Sequence, residues 1–209
     1  MKLNMIESLP EILRENSITI NLKKGQRLFR KGDRASYLYL IQHGRFQEIS
    51  YPEGDKIAVL QILTTEETLG ETSLRSEFYR STVIASTNAR VIGYPKSILL
   101  ETVDRSPLLI EALIEILVQK IDELQTRLEW RNIAIADRRV LQYLKHKLDK
   151  LAQDGDDSQT LVLDTPLQEI AAELGFVPGT LSRALAKLEA ERAITRDKNR
   201  ITIHQTNVA

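Results

Sequence analysis

The spacing of apolar residues changes twice along the chain of 209 residues. From Ile18 to about Val103, short β-type runs such as Ser36–Ile41, Ile57–Leu63, Thr82–Ser86 and Arg90–Tyr94 alternate with turn signals. Those signals are Lys24-Gly25, Lys31-Gly32-Asp33, His43-Gly44, Pro52-Glu53-Gly54 and Thr87-Asn88. Many short strands joined by tight turns predict a β-barrel or sandwich. A short helix over Ile6–Glu15 is expected before it, with Ile6, Leu9, Ile12 and Leu13 on one face.

After Pro107 the period becomes helical. Ile110, Ile114, Leu117, Ile121, Leu124 and Leu128 follow steps of four, three, four, three and four, which is a heptad seam. Such a stripe serves either a helix laid on its own domain or a coiled coil between two subunits. Its narrowness, with no Gly or Pro from Leu108 to Gln153, favours the coiled coil and hence a homodimer.

From Asp137 to Gln153 the helix resumes on another face, Val140, Leu141, Leu144, Leu148 and Leu151, so a bend is expected near Ala136-Asp137. Asp154-Gly155-Asp156-Asp157-Ser158 reads as an exposed loop and Leu161–Asp164 as a short strand. Thr165-Pro166-Leu167-Gln168 has the form of a capping box with Pro at the first helical position. The helix it starts would turn Leu167, Ile170, Ala171 and Leu174 inward and end at Gly175. A second helix starts at Pro178, with Val177 a poor N-cap. Leu181, Leu185 and Leu188 form its apolar face and Thr180, Arg183 and Lys187 a polar one. Ala193–Arg196 and Arg200–Ile203 flank Asp197-Lys198-Asn199 as a hairpin with a basic tip, the wing of a winged helix-turn-helix. Two helices meeting at a glycine also occur in proteins that never touch DNA. Five cations on two neighbouring elements, Arg183 and Lys187 with Arg196, Lys198 and Arg200, point to phosphate neutralisation and groove reading.

Composition narrows the classes. A chain with 42% hydrophobic residues holds one or two packed domains. No run is apolar enough for a signal peptide or membrane span, which predicts a cytoplasmic protein without a membrane partner. With no cysteine, disulfides, thiolate-held clusters and Cys-type zinc sites are excluded. The formal net charge of zero gives nucleic-acid binding no support beyond local placement of Lys and Arg. His43, His146 and His204 are scattered, so no metal is expected. No P-loop or Ser-His-Asp order occurs, and no enzyme is expected.

Gln168-Glu169-Ile170-Ala171 through Gly175, followed by Thr180-Leu181-Ser182-Arg183 and the Leu185/Leu188 pair, resembles the helix-turn-helix of the Crp/Fnr family. The likeness continues in Lys24-Gly25-Gln26, Phe29–Asp33, Tyr37–Ile41 and Gly44, which are similar to the opening strands of that family's cyclic-nucleotide-binding β-roll. It implies an α+β chain with a sensor β-roll at 1–105, a dimerisation helix at 106–136 and a DNA-binding winged helix-turn-helix at 137–209. It implies a transcription regulator that binds inverted-repeat duplex DNA as a homodimer, with RNA polymerase as a protein partner. The DNA-facing residues would be Gln168, Thr180, Ser182, Arg183, Lys187, Arg196, Lys198 and Arg200. Pro178-Gly179 stands where the family has a base-reading Arg-Glu pair, so the operator sequence does not carry over. Leu69–Leu74 with Arg80-Ser81-Thr82 resembles the phosphate-binding cassette. There Gly70 admits an oxyanion to backbone amides, Glu71 accepts a ribose hydroxyl, Ser73 leaves room and Arg80 pairs with a cyclic phosphate. Gln125 and Thr126 correspond to the adenine-facing region. The effector is cAMP, another cyclic nucleotide or an unidentified molecule; alternatively Glu71 and Arg80 form an ion pair in a roll that has lost its nucleotide. The competing function is a nucleotide-binding interaction module acting on another protein.

Overall fold

The computed structural model describes residues 9–51, 57–153 and 159–204. Its strands and helices fall where the apolar period changes. The runs of period two become β1 (Ile18–Leu22), β2 (Arg27–Phe29), β3 (Tyr37–His43), β4 (Phe46–Ser50), β5 (Ala58–Leu63), β6 (Thr68–Leu69), β7 (Thr82–Ala85) and β8 (Ala89–Pro95). They pair antiparallel in two sheets, β1-β8-β3-β6 and β2-β7-β4-β5. Alternation along β3 serves two cores at once. Tyr39 and Ile41 join Phe29, Phe46, Leu63, Val83 and Val91 between the sheets. Leu38 and Leu40 on the opposite face pack with Leu9, Leu13, Leu99 and Leu109. These last residues belong to or flank α1 (Glu11–Glu15), α2 (Lys96–Val103) and the start of α3 (Pro107–Asn132). Ile12 departs from the expected inward face and is exposed, because the helix here is a single turn and the inward positions are Leu9 and Leu13. Ile6 and the Pro52-Glu53-Gly54 turn lie outside the described residues.

The chain forms two compact units that divide at Asp122/Glu123, inside α3. The second holds α4 (Ala136–Gln153), β9 (Thr160–Val162), α5 (Leu167–Glu173), α6 (Pro178–Ala190), β10 (Ile194–Asp197) and β11 (Arg200–Ile203), the last three strands in order β10-β11-β9. Val140, Leu144, Ile170, Leu174, Leu181, Leu185 and Leu188 share its core with Trp130 and Tyr143. The bend between α3 and α4 falls at residues 133–135, just before Ala136. The loop Asp154–Ser158 lies outside the described residues.

Two local expectations for α5 are corrected. Pro166 is extended, with ψ 139°, and occupies the N-cap. Thr165 therefore sits one residue too early to cap, and its hydroxyl contacts Asp164 instead at 3.2 Å. Leu167 is exposed, since the later start leaves it in a first turn whose inward positions are Ile170 and Ala171. The end of α5 follows expectation. Gly175 takes φ +71°, and the amides of Phe176 and Gly175 reach the carbonyls of Ala171 and Ala172 at 2.7 and 3.1 Å. That pair of bonds is the Schellman pattern that closes a helix at a left-handed residue.

Candidate effector cassette and DNA-reading surface

After β6 the backbone reverses through Gly70 at φ +93°, where a Cβ would approach the Tyr79 ring at 3.1 Å. Only glycine meets both demands without strain. The reversal launches a 3-10 turn over Glu71–Ser73, which carries the Glu71 carboxylate to a site only 8% exposed. The cation facing it is Lys120 of α3, whose Nζ lies 3.2 Å from Glu71 Oε1 and donates to the Thr68 carbonyl at 3.1 Å. Glu71 is therefore not paired with Arg80 as the alternative sequence reading had it. Three buried polar atoms beside this pair, Thr68 Oγ1, Ser73 Oγ and the second Glu71 oxygen, have no hydrogen-bond partner among the described residues. A buried orphan of this kind costs about 1–3 kcal/mol, so the cradle is chemically suited to a molecule that brings its own polar groups.

The second half of the cassette is arranged differently. Register pairs Glu48 of β4 with Gln61 of β5, and the period of two puts Glu48 on the same side of β4 as the buried Phe46. There its carboxylate accepts hydrogen bonds from Ser81 Oγ and Gln61 Nε2. Thr82 Oγ1 accepts the Lys31 amide at 3.0 Å. Arg80 is exposed in an open depression lined by Lys31, Phe78 and Tyr79. The wall here is aromatic: Phe29 stacks on Tyr79 at 3.8 Å, and the Tyr79 hydroxyl donates to the Tyr37 carbonyl at 2.7 Å. Burial pushes the Tyr39 and Tyr79 hydroxyls above their ordinary pKa, so both remain neutral donors. Gln125 is exposed and Thr126 half-buried on the part of α3 that belongs to the second unit. The residues present thus fit a nucleotide at Gly70, Glu71 and Ser73 but not at its phosphate, because Ser81 already serves a carboxylate.

Along α3 the seam residues Ile110, Ile114, Leu117, Ile121, Leu124 and Leu128 are all exposed in the single chain, from 38% to 63%. Val118 joins them. A continuous uncovered apolar stripe of this length is more than a single soluble chain ordinarily leaves in water.

On α6, Leu181, Ala184, Leu185 and Leu188 are buried, which turns Ser182, Arg183 and Lys187 outward. Arg183 reaches the Thr180 hydroxyl at 3.3 Å. Lys187 is held by Asp137 of α4 at 2.8 Å and lies 3.8 Å from Glu191. The hydrogen bond to Asp137 raises the Lys187 pKa and lowers that of Asp137. Gln168 is exposed on α5. In the wing, Arg196 donates to Glu189 through Nε and one terminal nitrogen at 3.0 and 2.7 Å, lowering the Glu189 pKa. Lys198, at φ +54°, and Arg200 are exposed at the hairpin tip. Arg183, Lys198 and Arg200 have no ion pair among the described residues, so three of the five expected cations face outward unpaired. Val177 is the N-cap of α6, extended and without a side-chain cap, with Pro178 following it.

Further residues hold the second unit together through contacts distant in sequence. Arg127 of α3 lies 3.7 Å from Glu173, a carboxylate only 5% exposed that also accepts from Tyr143, whose pKa burial pushes up. Arg139 donates to the carbonyls of Ile133, Arg131 and Leu174 and lies over the Phe176 ring at 4.6 Å. It thereby ties the end of α3 to the turn between α5 and α6. Neither these residues nor Glu48 and Lys120 sit in a local motif, and only tertiary pairing reveals them. Among the described residues no group of three His, Asp or Glu is arranged to hold a metal, and no helix is long and apolar enough to cross a membrane.

Comparison with known proteins supports both halves. The cyclic nucleotide-binding domain family matches residues 19–106 and the Crp-like helix-turn-helix domain family residues 138–207. The transcriptional activator protein FnrA of Stutzerimonas stutzeri is 23% identical over 205 residues, covering 97% of this chain and 83% of its own. Among solved structures, a CooA mutant from Carboxydothermus hydrogenoformans superposes with a TM-score of 0.77 at 18% identity, covering 97% and 91% of the two chains. The c-di-GMP responsive global regulator CLP of Xanthomonas campestris gives 0.72 at 21%, covering 97% and 99%. With a roll of the cyclic nucleotide-binding domain family and a Crp-like helix-turn-helix following one another along a single chain, the protein belongs to the Crp/Fnr family of DNA-binding transcription regulators.

Proposed function

We propose that the protein acts as a two-fold dimer joined along the α3 seam, which presents one α6 to each half-site of an inverted repeat. Two-fold symmetry places the half-sites about one helical turn apart on one face of the duplex. Arg183 reads a base edge, with Thr180, Ser182 and Gln168 beside it, while Lys198 and Arg200 in the wing hold phosphates; Lys187 and Arg196 join after exchanging their carboxylates for phosphate oxygens. A small effector at the Glu71 cradle sets the α3 geometry, and the protein works in the cytoplasm with RNA polymerase as its partner and no catalysis of its own. Of a cyclic nucleotide, the Gly70–Ser73 half of the cassette supports the uncharged polar part, while Glu48 occupies Ser81 in the phosphate half. The observation carrying this reading is α6 itself: its leucines are buried, and Arg183 stands outward with no carboxylate holding it.

The test is anisotropy of labelled duplexes against wild type and two variants, using an inverted repeat recovered by selection and a random duplex. Arg183→Ala should lose about 1–3 kcal/mol on the selected repeat and much less on random DNA. Lys198→Ala should weaken both alike. Equal loss on both duplexes for Arg183→Ala would reduce it to a phosphate contact, and failure to select any repeat would overturn the reading.

A further inference from the structure

We infer that Glu48 is a specificity-determining residue of the sensor: its carboxylate fills the place beside Ser81 that an anionic group of an effector would need, so the roll rejects ligands with a phosphate there. The inference rests on the cassette being the effector site. Three observations carry it. Ser81 is buried and its hydroxyl donates to Glu48. Gln61, also buried, donates to the same carboxylate, so both polar side chains that could receive an anion are already given to one. The strand register and alternation fix Glu48 on the inner face of β4, where retreat to solvent would break both bonds. Bringing a second negative charge within contact distance of a half-buried carboxylate is repulsive in a medium of low effective dielectric, and Arg80, exposed on the depression beside Phe78, does not neutralise it.

The other half of the cassette lacks this obstacle. Glu71 Oε2, Ser73 Oγ and Thr68 Oγ1 are buried and unanswered, and they invite neutral donors and acceptors such as hydroxyls. The ligand class that fits both halves is therefore an uncharged polar molecule, of which a nucleoside is one and a cyclic nucleotide is not.

Calorimetric titration of the full-length protein with cAMP and with adenosine separates the cases. In the wild type adenosine should bind and cAMP should produce no heat up to ~1 mM, a limit set by ordinary calorimetric affinities. Glu48→Gln keeps the shape and one acceptor oxygen while removing the charge, its new amide nitrogen being able to donate to the Ser81 hydroxyl, and should bind cAMP at least tenfold more tightly than the wild type. Adding Ser81→Ala to that variant should remove the gain. If Glu48→Gln melts early, Glu48→Thr carries the same test in a strand-compatible residue. Wild-type binding of cAMP as tight as that of Glu48→Gln overturns the inference while leaving the cassette as the effector site. Binding of neither ligand to any of these proteins overturns the inference and the effector reading together, whereas the DNA selection above stands or falls independently.

Discussion

Two buried carboxylates, one in each unit, face cations that stand seven residues apart on α3. Glu71 meets Lys120 and Glu173 meets Arg127. In the reading head the carboxylate is answered twice, by Arg127 and by Tyr143. In the sensor one oxygen of Glu71 is left over and a buried serine hydroxyl beside it is unanswered too. A buried charge that is fully satisfied holds a fold in one arrangement, while one that is half satisfied marks where something else is to be received. In the proposed dimer, α3 is the element through which one event at the sensor reaches the other unit, and its outward stripe is where the two chains meet.

The largest expected effect comes from that stripe. Replacing Leu117 and Leu124 with Glu puts four carboxylates into a two-chain seam, and sedimentation should report a monomer. Loss of the second reading head should then lower affinity for an inverted repeat by about 100-fold or more. A variant that stays dimeric would show that another surface joins the chains, and the two ion pairs would lose their common lever.

Truncating each acid tells the two pairs apart. Glu173→Ala takes from Arg127 its most buried carboxylate, leaving Glu123 at 3.7 Å, strips Tyr143 of its acceptor, and should cost about 3 kcal/mol in denaturant unfolding. Glu71→Ala also removes an unsatisfied oxygen, and Lys120 keeps the Thr68 carbonyl, so about 1 kcal/mol is expected. Equal losses would break the distinction between a structural pair and a receptive one.

How much of this could be read from the chain depends on the range of the interaction. The strands, the seam, the left-handed Gly175 and the buried face of α6 follow from period and turn chemistry, which are local. The partners of charges are not local. Glu48 lies 33 residues from Ser81 and Lys120 lies 49 from Glu71, each count being a difference of positions, so spacing could suggest only Arg80 as the mate of Glu71. Thr165 failed as a cap for a smaller reason, since a proline in the extended region moved the helix start by one residue.

The smallest effect is a dependence on pH confined to the second unit. Burial, reinforced by Lys150 and Lys147 and opposed by Glu123 and Asp149, lowers the pKa of His146, which stands edge-on to Trp130 at 5.1 Å. As pH falls, the unfolded chain takes the proton first, near its ordinary value of about 6.5. Stability conferred by the neutral ring is therefore full above that value and declines as pH drops toward the lower folded pKa. Melting followed by Trp130 fluorescence should show this slope, and His146→Gln should flatten it. An unchanged slope would place the titration elsewhere.

The carboxylates that hold Lys187 and Arg196 have a consequence for how the protein counts ions. A cation already neutralised by Asp137 or Glu189 displaces no counterion from the duplex unless its acid is released to solvent in exchange. Ten reading-head cations in a dimer would give a logarithmic affinity falling with logarithmic salt at a slope of about −9, whereas the six left unpaired give about −5. For the proposed dimer, grip on any duplex would thereby stay shallow, and its search of a chromosome would be spent less in non-specific captivity than the number of basic residues suggests.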